Sequence, residues 1–260
     1  MILIDKLAYA SEIRDRSPAL KSGLAVGTLF VCVAVRSFVV SSFILLVMGY
    51  LTVHFSKVSL YRYTRLMLLP LSFLVLGTIA IAVNFSDGPM DLFNLPLGNH
   101  YLAVSRASLT YAVRLIFIAL GSISCLYFLS LTTPMLDIVQ VLKRLHLPWL
   151  IVEITILMYR FIFTLSDMAA AIMLSQECRL GNITFRQRIK SMGQMLSVLL
   201  IRALNKSNKL YDAMESRCYD GRIQVLWDTK KAQKKEIVAV LAFFLVLGIL
   251  SATCKLNGGI

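Results

Sequence analysis

Long apolar runs alternate with short polar segments along most of this chain. The clearest runs occupy residues 23–53, 66–83, 107–129 and 237–252. A helix needs about 20 mostly apolar residues to cross the ~30 Å hydrocarbon core of a bilayer, and lipid forces backbone groups to bond within their own segment. The pattern therefore predicts an all-α integral membrane protein, a prediction that agrees with the mean hydropathy of +0.74.

The first apolar run is too long for one straight span, and the stretch VRSFVVSS interrupts it. Two short helices with a tight turn near residues 36–42 fit this run better. With the three later runs, this division predicts five spans. Arg114 lies inside the fourth span and is expected to face protein or to sit near the membrane interface, because a charged side chain is costly in lipid.

Basic residues concentrate between the apolar runs. The segment HFSKVSLYRYTR contains three bases and no acid, KKAQKK precedes the last run, and residues 84–105 contain no Lys or Arg. Cytoplasmic loops are enriched in Lys and Arg, so we expect the N-terminus inside, the C-terminus outside and a turn-rich external loop at 84–105. This bias accounts for the formal net charge of +13 and does not indicate nucleic-acid binding. The charged first 22 residues are not expected to form a secretory signal peptide.

The pattern changes between residues 131 and 235. Thr133, Pro134 and Asp137 form a helix-start signature, and they predict a short amphipathic helix that stops before Pro148. Residues 149–179 are apolar, but charged residues recur there every seven positions, at Glu153, Arg160 and Asp167. We interpret this segment as a long helix lying at the cytoplasmic surface or crossing it obliquely, with a tilted span as the alternative.

A second long helix is predicted from the segment that follows. Gly181 is expected to end the first helix, and Thr184 with Gln187 resembles a capping box. An apolar stripe then continues to about Ser216: Ile189, Met192, Leu196, Leu199, Leu200, Ala203, Leu204, Leu210 and Met214. This organisation predicts a four-span membrane domain at 1–130, a cytoplasmic domain at 131–235 and a final span at 236–260.

The two long helices end in the same local pattern. SQECRLG places Glu177 two residues before Arg179, and DAMESRCYDGR places Glu215 two residues before Arg217. An arginine at an exposed helix end offers a fork of donors to carboxylates or carbonyls of a partner. The alternative is that these cations merely complement the helix dipole. The repetition at consecutive amphipathic helices favours docking, and we expect Glu177 and Glu215 to orient the two arginines.

Catalytic and metal-binding motifs are missing from the sequence. It contains no P-loop, H-E-x-x-H, Gly-rich dinucleotide turn or Ser/His/Asp set, and its five cysteines are scattered without a C-x-x-C. His100 with Asp87 and Asp91 would form at most a cation-attracting loop. We therefore expect a non-catalytic protein without a bound cofactor or resident metal.

The repeated motifs resemble those of the transmembrane T component of energy-coupling factor (ECF) transporters. In that family two cytoplasmic coupling helices each end in a short Ala-Arg-Gly-like motif. Cys178-Arg179-Leu180 and Ser216-Arg217-Cys218 keep the Arg and lose the Ala and Gly.

Two segments resemble the cobalt-type branch of these proteins, the CbiQ family. The segment IDKLAYASEIRDRSPALK is similar to the N-terminus of that branch at Asp5, Lys6, Leu7, Ala8, Tyr9, Ser11, Arg14, Pro18 and Lys21. YDAMESRCYDGR resembles its second motif at Tyr211, Ala213, Met214, Tyr219, Gly221 and Arg222.

The resemblance implies a scaffold in a bacterial or archaeal cell (inner) membrane that couples cytoplasmic ABC ATPase subunits to an integral membrane substrate-binding subunit. The ATPase subunits would hydrolyse ATP. The substrate-binding subunit would recognise cobalt, with nickel as the second candidate. The coupling residues it implies are Glu177, Arg179, Glu215, Arg217, Tyr219 and Arg222. A vitamin-type T component is the alternative, followed by a stand-alone carrier or an assembly factor.

Overall fold

The computed structural model describes residues 3–11, 13, 15–56, 58–86, 93–97, 100–104, 106–145, 147–223 and 232–256. Its helices are α1 (Leu3–Ala10), α2 (Pro18–Val35), α3 (Phe38–Ser56), α4 (Leu60–Ala82), α5 (Arg106–Thr132), α6 (Met135–Arg144), α7 (Trp149–Cys178), α8 (Phe185–Glu215) and α9 (Lys234–Leu256). The prediction of an all-α integral membrane fold is confirmed, with one small sheet between α4 and α5.

The chain forms two compact units. One unit combines Ile2–Val141 with Thr229–Ile260, and the other is Leu142–Asp228. The first unit contains α1 to α5, most of α6, the sheet and α9, whereas the second contains the end of α6 with α7 and α8. The helices that correspond to the five predicted spans thus belong to one unit, and the two long helices that carry the motifs belong to the other.

The core of the first unit lies where α2, α3, α5 and α9 pack together. Its fully buried side chains include Cys32, Val40, Ile44, Met48, Cys125 and Leu247. Small polar side chains are also buried there, and they return hydrogen bonds to their own helices. Thr28 Oγ1 donates to Leu24 O at 2.8 Å, and Thr52 Oγ1 donates to Met48 O at 2.6 Å. A hydroxyl bonded in this way can be buried in a membrane bundle without leaving its donor unsatisfied.

The first apolar run divides into two helices, as predicted, and the break falls at Arg36. This residue takes the left-handed conformation, with φ of 49°, and α3 begins two residues later at Phe38. The Nε of Arg114 on α5 donates to the carbonyl oxygen of Arg36. The charge of Arg114 therefore faces protein, where it satisfies a carbonyl at the end of α2.

Two contacts bring the ends of several helices to one end of this unit. The Nζ of Lys21 is buried and donates to Ile13 O at 2.9 Å and to Thr132 O at 3.3 Å, so α2 begins where α5 ends. Arg16 Nε lies 3.3 Å from Glu236 Oε1, which places the start of α9 at the same end.

Six described helices are long and apolar enough to cross a membrane. Five of them, α2, α3, α4, α5 and α9, correspond to the predicted spans. The sixth is α7, with 30 residues and a mean hydropathy of 1.6. By its length and composition, α7 could also cross a membrane. Its predicted position at the membrane surface therefore stays a prediction.

The loop predicted at residues 84–105 is corrected by the structure. Strands β1 (Val83–Ser86), β2 (Phe93–Leu97) and β3 (His100–Val104) form an antiparallel sheet in the order β1-β3-β2. Turn residues at positions 87–92 and 98–99 dominated the sequence pattern and obscured the short apolar segments between them. Asp87 and Asp91 lie outside the described residues, as does the side chain of His100.

Candidate docking motifs at the ends of the long helices

Helix α7 ends in a Schellman motif centred on the first arginine. The N–H of Leu180 donates to Glu177 O at 3.0 Å, and the N–H of Gly181 donates to Gln176 O at 2.9 Å. Leu180 takes the left-handed conformation, with φ of 58°. This pair of hydrogen bonds around one left-handed residue defines the motif. Arg179 is the last residue before the chain turns away from the helix.

Helix α8 ends in the same way around the second arginine. The N–H of Cys218 donates to Glu215 O at 3.0 Å, the N–H of Tyr219 donates to Met214 O at 3.1 Å, and Cys218 has φ of 58°. Arg217 therefore occupies the position that Arg179 occupies in α7. The two motifs share a backbone conformation as well as a sequence pattern.

The position after each arginine is the one at which a helix end most often uses glycine. Here Leu180 and Cys218 hold it instead, and both side chains are exposed. A side chain in the left-handed region costs about 1–2 kcal/mol relative to the right-handed one. The sequence drew attention to Gly181 as the helix end, but the left-handed residue is its neighbour Leu180.

Gly181 is needed for a different reason, the close approach of α8 to the end of α7. A Cβ at this position would lie 3.0 Å from Gln176 O and 3.0 Å from Ser191 Oγ. Ser191 Oγ donates to Gly181 O at 2.9 Å, and Gln176 Nε2 donates to Ser191 O at 2.8 Å. These bonds join the two helices at their connection.

The predicted start of α8 is confirmed. Thr184 and Gln187 form a capping box, with the N–H of Thr184 donating to Gln187 Oε1 at 3.3 Å. The end of α7 and the beginning of α8 are therefore both fixed by local hydrogen bonds. The first motif is presented at a defined helix–helix connection.

The charged side chains of both motifs are exposed. They are Glu177, Arg179, Glu215, Arg217 and Arg222. Neither Glu lies within ion-pair distance of its Arg in the described part of the chain. A role of these glutamates in orienting the arginines therefore stays a prediction.

Tyr219 is the member of the second motif that contacts another helix. Its hydroxyl donates to Oε1 of Glu153 near the start of α7, and this bond with the carboxylate is the main reason that the pKa of Tyr219 rises to about 12. Glu153 is 4% exposed, and its Oε2 is buried without a hydrogen-bond partner among the described residues. The sequence pattern placed Glu153 on a charged stripe with Arg160 and Asp167, which are exposed, and gave no sign of this contact.

The two motifs lie at opposite ends of a rigid element. Helix α8 contains 31 residues, so at 1.5 Å per residue it is about 46 Å long. The Arg179 motif precedes its first turn, and the Arg217 motif follows its last. A standard protein–protein interface covers about 800 Å² per partner, a patch roughly 30 Å across, and so does not extend from one end of α8 to the other.

The apolar stripe predicted for α8 is largely uncovered. Five of its side chains are between 56% and 63% exposed: Ile189, Met192, Leu196, Leu200 and Leu204. The other four, Leu199, Ala203, Leu210 and Met214, are half-buried. A contiguous apolar face of this kind marks a surface for protein or membrane contact.

Comparison with known families decides the relationship suggested by these motifs. Residues 10–227 match the CbiQ family, described as cobalt transport protein. The chain belongs to the CbiQ family. The matched region includes both arginine motifs and all of α2 to α8.

Individual relatives agree with this assignment. The cobalt transport protein CbiQ of Rhodobacter capsulatus is 30% identical over 251 residues, which cover 95% of this chain and 98% of that protein. A putative fused cobalt transport protein CbiMQ of Methanocorpusculum labreanum is 29% identical over 251 residues, covering 96% of this chain and 42% of that protein. The ECF transporter transmembrane protein EcfT of Lactococcus lactis is 29% identical over 212 residues, covering 74% and 77%.

Proposed function

We propose that this chain is the transmembrane coupling subunit of an ECF-type ABC importer for cobalt ions, with nickel as the second candidate. The observation that carries the proposal is the pair of matching helix ends. Each presents an exposed arginine on a Schellman motif, in a member of the CbiQ family. The subunit would be a multi-pass protein of a bacterial or archaeal cell membrane, with its N-terminus in the cytoplasm.

Arg179 and Arg217 would dock onto cytoplasmic ATPase subunits. Their guanidinium groups are exposed and can form forked hydrogen bonds with carboxylates or helix-end carbonyls. Because about 46 Å of helix separates the two motifs, each would contact a different ATPase subunit. Tyr219, held by Glu153, and the exposed Arg222 would complete the second contact.

The uncovered apolar face of α8 would contact an integral membrane subunit that binds the metal ion. The relative named as a fused protein supports a companion subunit. This chain covers only 42% of that relative, so the remainder would correspond to the companion. In this arrangement the partners supply ATP hydrolysis and metal recognition. The present chain transmits motion between them through α7 and α8.

The central experiment removes both arginines. Arg179→Ala combined with Arg217→Ala should leave membrane insertion intact, whereas the ATPase should no longer co-purify or no longer drive uptake. Loss of one partner of a desolvated interfacial charge pair costs about 2–5 kcal/mol, while loss of a rim charge costs far less. The readouts are ATPase recovery after membrane solubilisation and uptake of labelled cobalt.

Two further variants define the chemistry of the contact. Replacement of both arginines by Lys should restore only part of the function, because an ammonium group lacks the planar fork. Lys206→Ala removes an exposed base from the polar face of α8, away from both motifs, and should change little. Normal recruitment and uptake in the double alanine variant would show that the arginines serve only as helix-end charges.

The substrate is tested with the reconstituted complex. Labelled cobalt should be taken up in an ATP-dependent manner, and biotin or riboflavin should neither be transported nor compete. Transport of a vitamin without transport of metal would instead place the subunit in a vitamin-type importer. ATP-independent transport by the purified chain would favour a stand-alone carrier.

A further inference from the structure

A cavity of about 340 Å³ lies between the beginnings of α2 and α9 and the ends of α3 and α5. Its walls are largely apolar and include Leu24, Val47, Leu51, Phe128, Val240 and Phe243. This volume falls within the range of about 300–1,000 Å³ typical of small-molecule clefts. Because these four helices are candidate membrane spans, we expect the cavity to lie within reach of the bilayer.

A fixed cation lines this cavity. The guanidinium carbon of Arg16 lies 5.4 Å from the centre of the Phe55 ring, and Arg16 Nε lies 3.3 Å from Glu236 Oε1. The Arg16 side chain is nevertheless 52% exposed. Since the ion pair engages Nε, the two terminal NH₂ groups of the guanidinium can donate to a phosphate. An apolar wall thus adjoins a group that binds oxyanions.

The surrounding charge favours an anion. Lys234 and Lys235 are exposed in the first turn of α9, and the positive end of a helix dipole adds to their effect. Among the described residues near Arg16, the bases Arg16, Lys234 and Lys235 outnumber the acids Asp15 and Glu236. Lysine and arginine residues beside a membrane span attract anionic lipid headgroups.

We propose that this cavity binds one anionic phospholipid from the bilayer. An acyl chain would occupy the apolar walls, and the phosphate would contact Arg16 and the first turn of α9. A zwitterionic lipid supplies the same chain without net charge, whereas a soluble organophosphate supplies the phosphate without a chain. The apolar walls favour an acyl chain, and the surplus of basic residues favours a net negative charge. An anionic phospholipid has both.

The test uses the full-length chain purified in a neutral detergent and examined by native mass spectrometry. The added probes are phosphatidylglycerol, phosphatidylcholine and glycerol 3-phosphate. We expect one phosphatidylglycerol to be retained in preference to the other two. Arg16→Gln should weaken its retention about fivefold, the effect of one base at an anionic membrane surface. Ala239→Phe, which introduces a ring into the cavity wall, should abolish it.

Two matched variants control for general effects. Ala242→Phe adds the same ring to an exposed position of α9 outside the cavity lining, and Arg62→Gln removes an exposed base from the start of α4. Both should retain phosphatidylglycerol as the parent does. If Ala239→Phe does not fold, Arg16→Gln and Lys235→Gln still test the headgroup contact. Equal retention of phosphatidylcholine, competition by glycerol 3-phosphate, or unchanged binding in Arg16→Gln would overturn the proposal.

Discussion

The hydroxyl of Tyr219 is hydrogen-bonded to the carboxylate of Glu153, a residue 66 positions earlier in the chain. This bond joins the end of α8 to the beginning of α7. The carboxylate is almost completely buried, although the tyrosine belongs to an exposed motif. Tyr219 therefore restrains the segment that carries Arg217.

Tyr219→Phe should loosen the second motif without unfolding either long helix. Removal of the hydroxyl eliminates the bond to Glu153 and leaves both carboxylate oxygens without a described partner. Amide hydrogen exchange at residues 216–222 should become faster, and the affinity for the proposed ATPase partner should fall. Tyr211→Phe, at an exposed position of α8, should alter neither property. Equal exchange in the two variants would contradict a restraining role.

The same bond predicts an unusual titration of Tyr219. Its pKa is raised from 10.0 to about 12 in the folded protein, so the neutral hydroxyl is favoured there. The contribution to stability is full below pH 10 and is lost as the pH rises through about 12. The difference in tyrosinate absorbance between the parent and Tyr219→Phe should report this late ionisation. Glu153→Gln removes the negative charge and should shift the ionisation back towards pH 10; an unchanged midpoint would show that another group raises the pKa.

Leu180→Gly and Cys218→Gly should each stabilise the second unit by about 0.5–1 kcal/mol. Glycine accepts the left-handed conformation without the steric cost, and part of this gain is offset by its greater freedom in the unfolded chain. Both side chains are exposed, so little packing is lost. Thermal unfolding measures the change. Leu180→Ala retains a Cβ and should give no such gain; an equal gain would show that the leucine side chain itself is unfavourable.

Gly181→Ala should destabilise the α7–α8 connection by about 1–3 kcal/mol, the usual cost of adding atoms to a close-packed site. The new methyl group would press on Gln176 O and Ser191 Oγ. Gly193→Ala is the matched control, because it lies inside α8 with no atom within 4 Å of its Cβ position. This second change should be stabilising. The prediction fails if both substitutions shift the unfolding temperature in the same direction.

The predicted membrane topology places a half-buried thiol, that of Cys254, on the outer side. Lys21 and Arg16 place the end of α5 and the start of α9 at the same end of the first unit. If α7 crossed the membrane once, the chain would have to cross back before α9 begins. No other described helix between α5 and α9 is long and apolar enough for that crossing. Five crossings put Cys254 outside when the N-terminus is inside. An impermeant maleimide should label Cys254 in intact cells; labelling only in inside-out vesicles would contradict this topology.

Much of the helical framework could be predicted from the sequence because its signals are local. The lengths of the apolar runs predicted the spans, and the polar interruption predicted the break near Arg36. Thr184 with Gln187 predicted the start of α8. The arginine motifs were identified from their repeated spacing. These features depend on neighbouring residues in a single helix.

The remaining features depend on contacts between distant segments or on backbone conformation. Nothing near Glu153 in sequence indicates that Tyr219 reaches it. The buried contacts of Lys21 likewise join separate helices. Leu180 does not have the residue type typical of a left-handed position, so local preference pointed to the adjacent glycine. The sheet at 83–104 was missed because its strands are short.

The length of α8 has a consequence for assembly. If the proposed docking contacts form, a stiff spacer of about 46 Å holds two modest binding sites at a fixed separation. If the two ATPase subunits are joined to each other, binding at one end presents the other end at a high effective concentration, and the combined avidity exceeds either affinity alone. Assembly should therefore depend steeply on the span between the partner sites, and an altered spacer length would weaken the complex even with every contact residue intact.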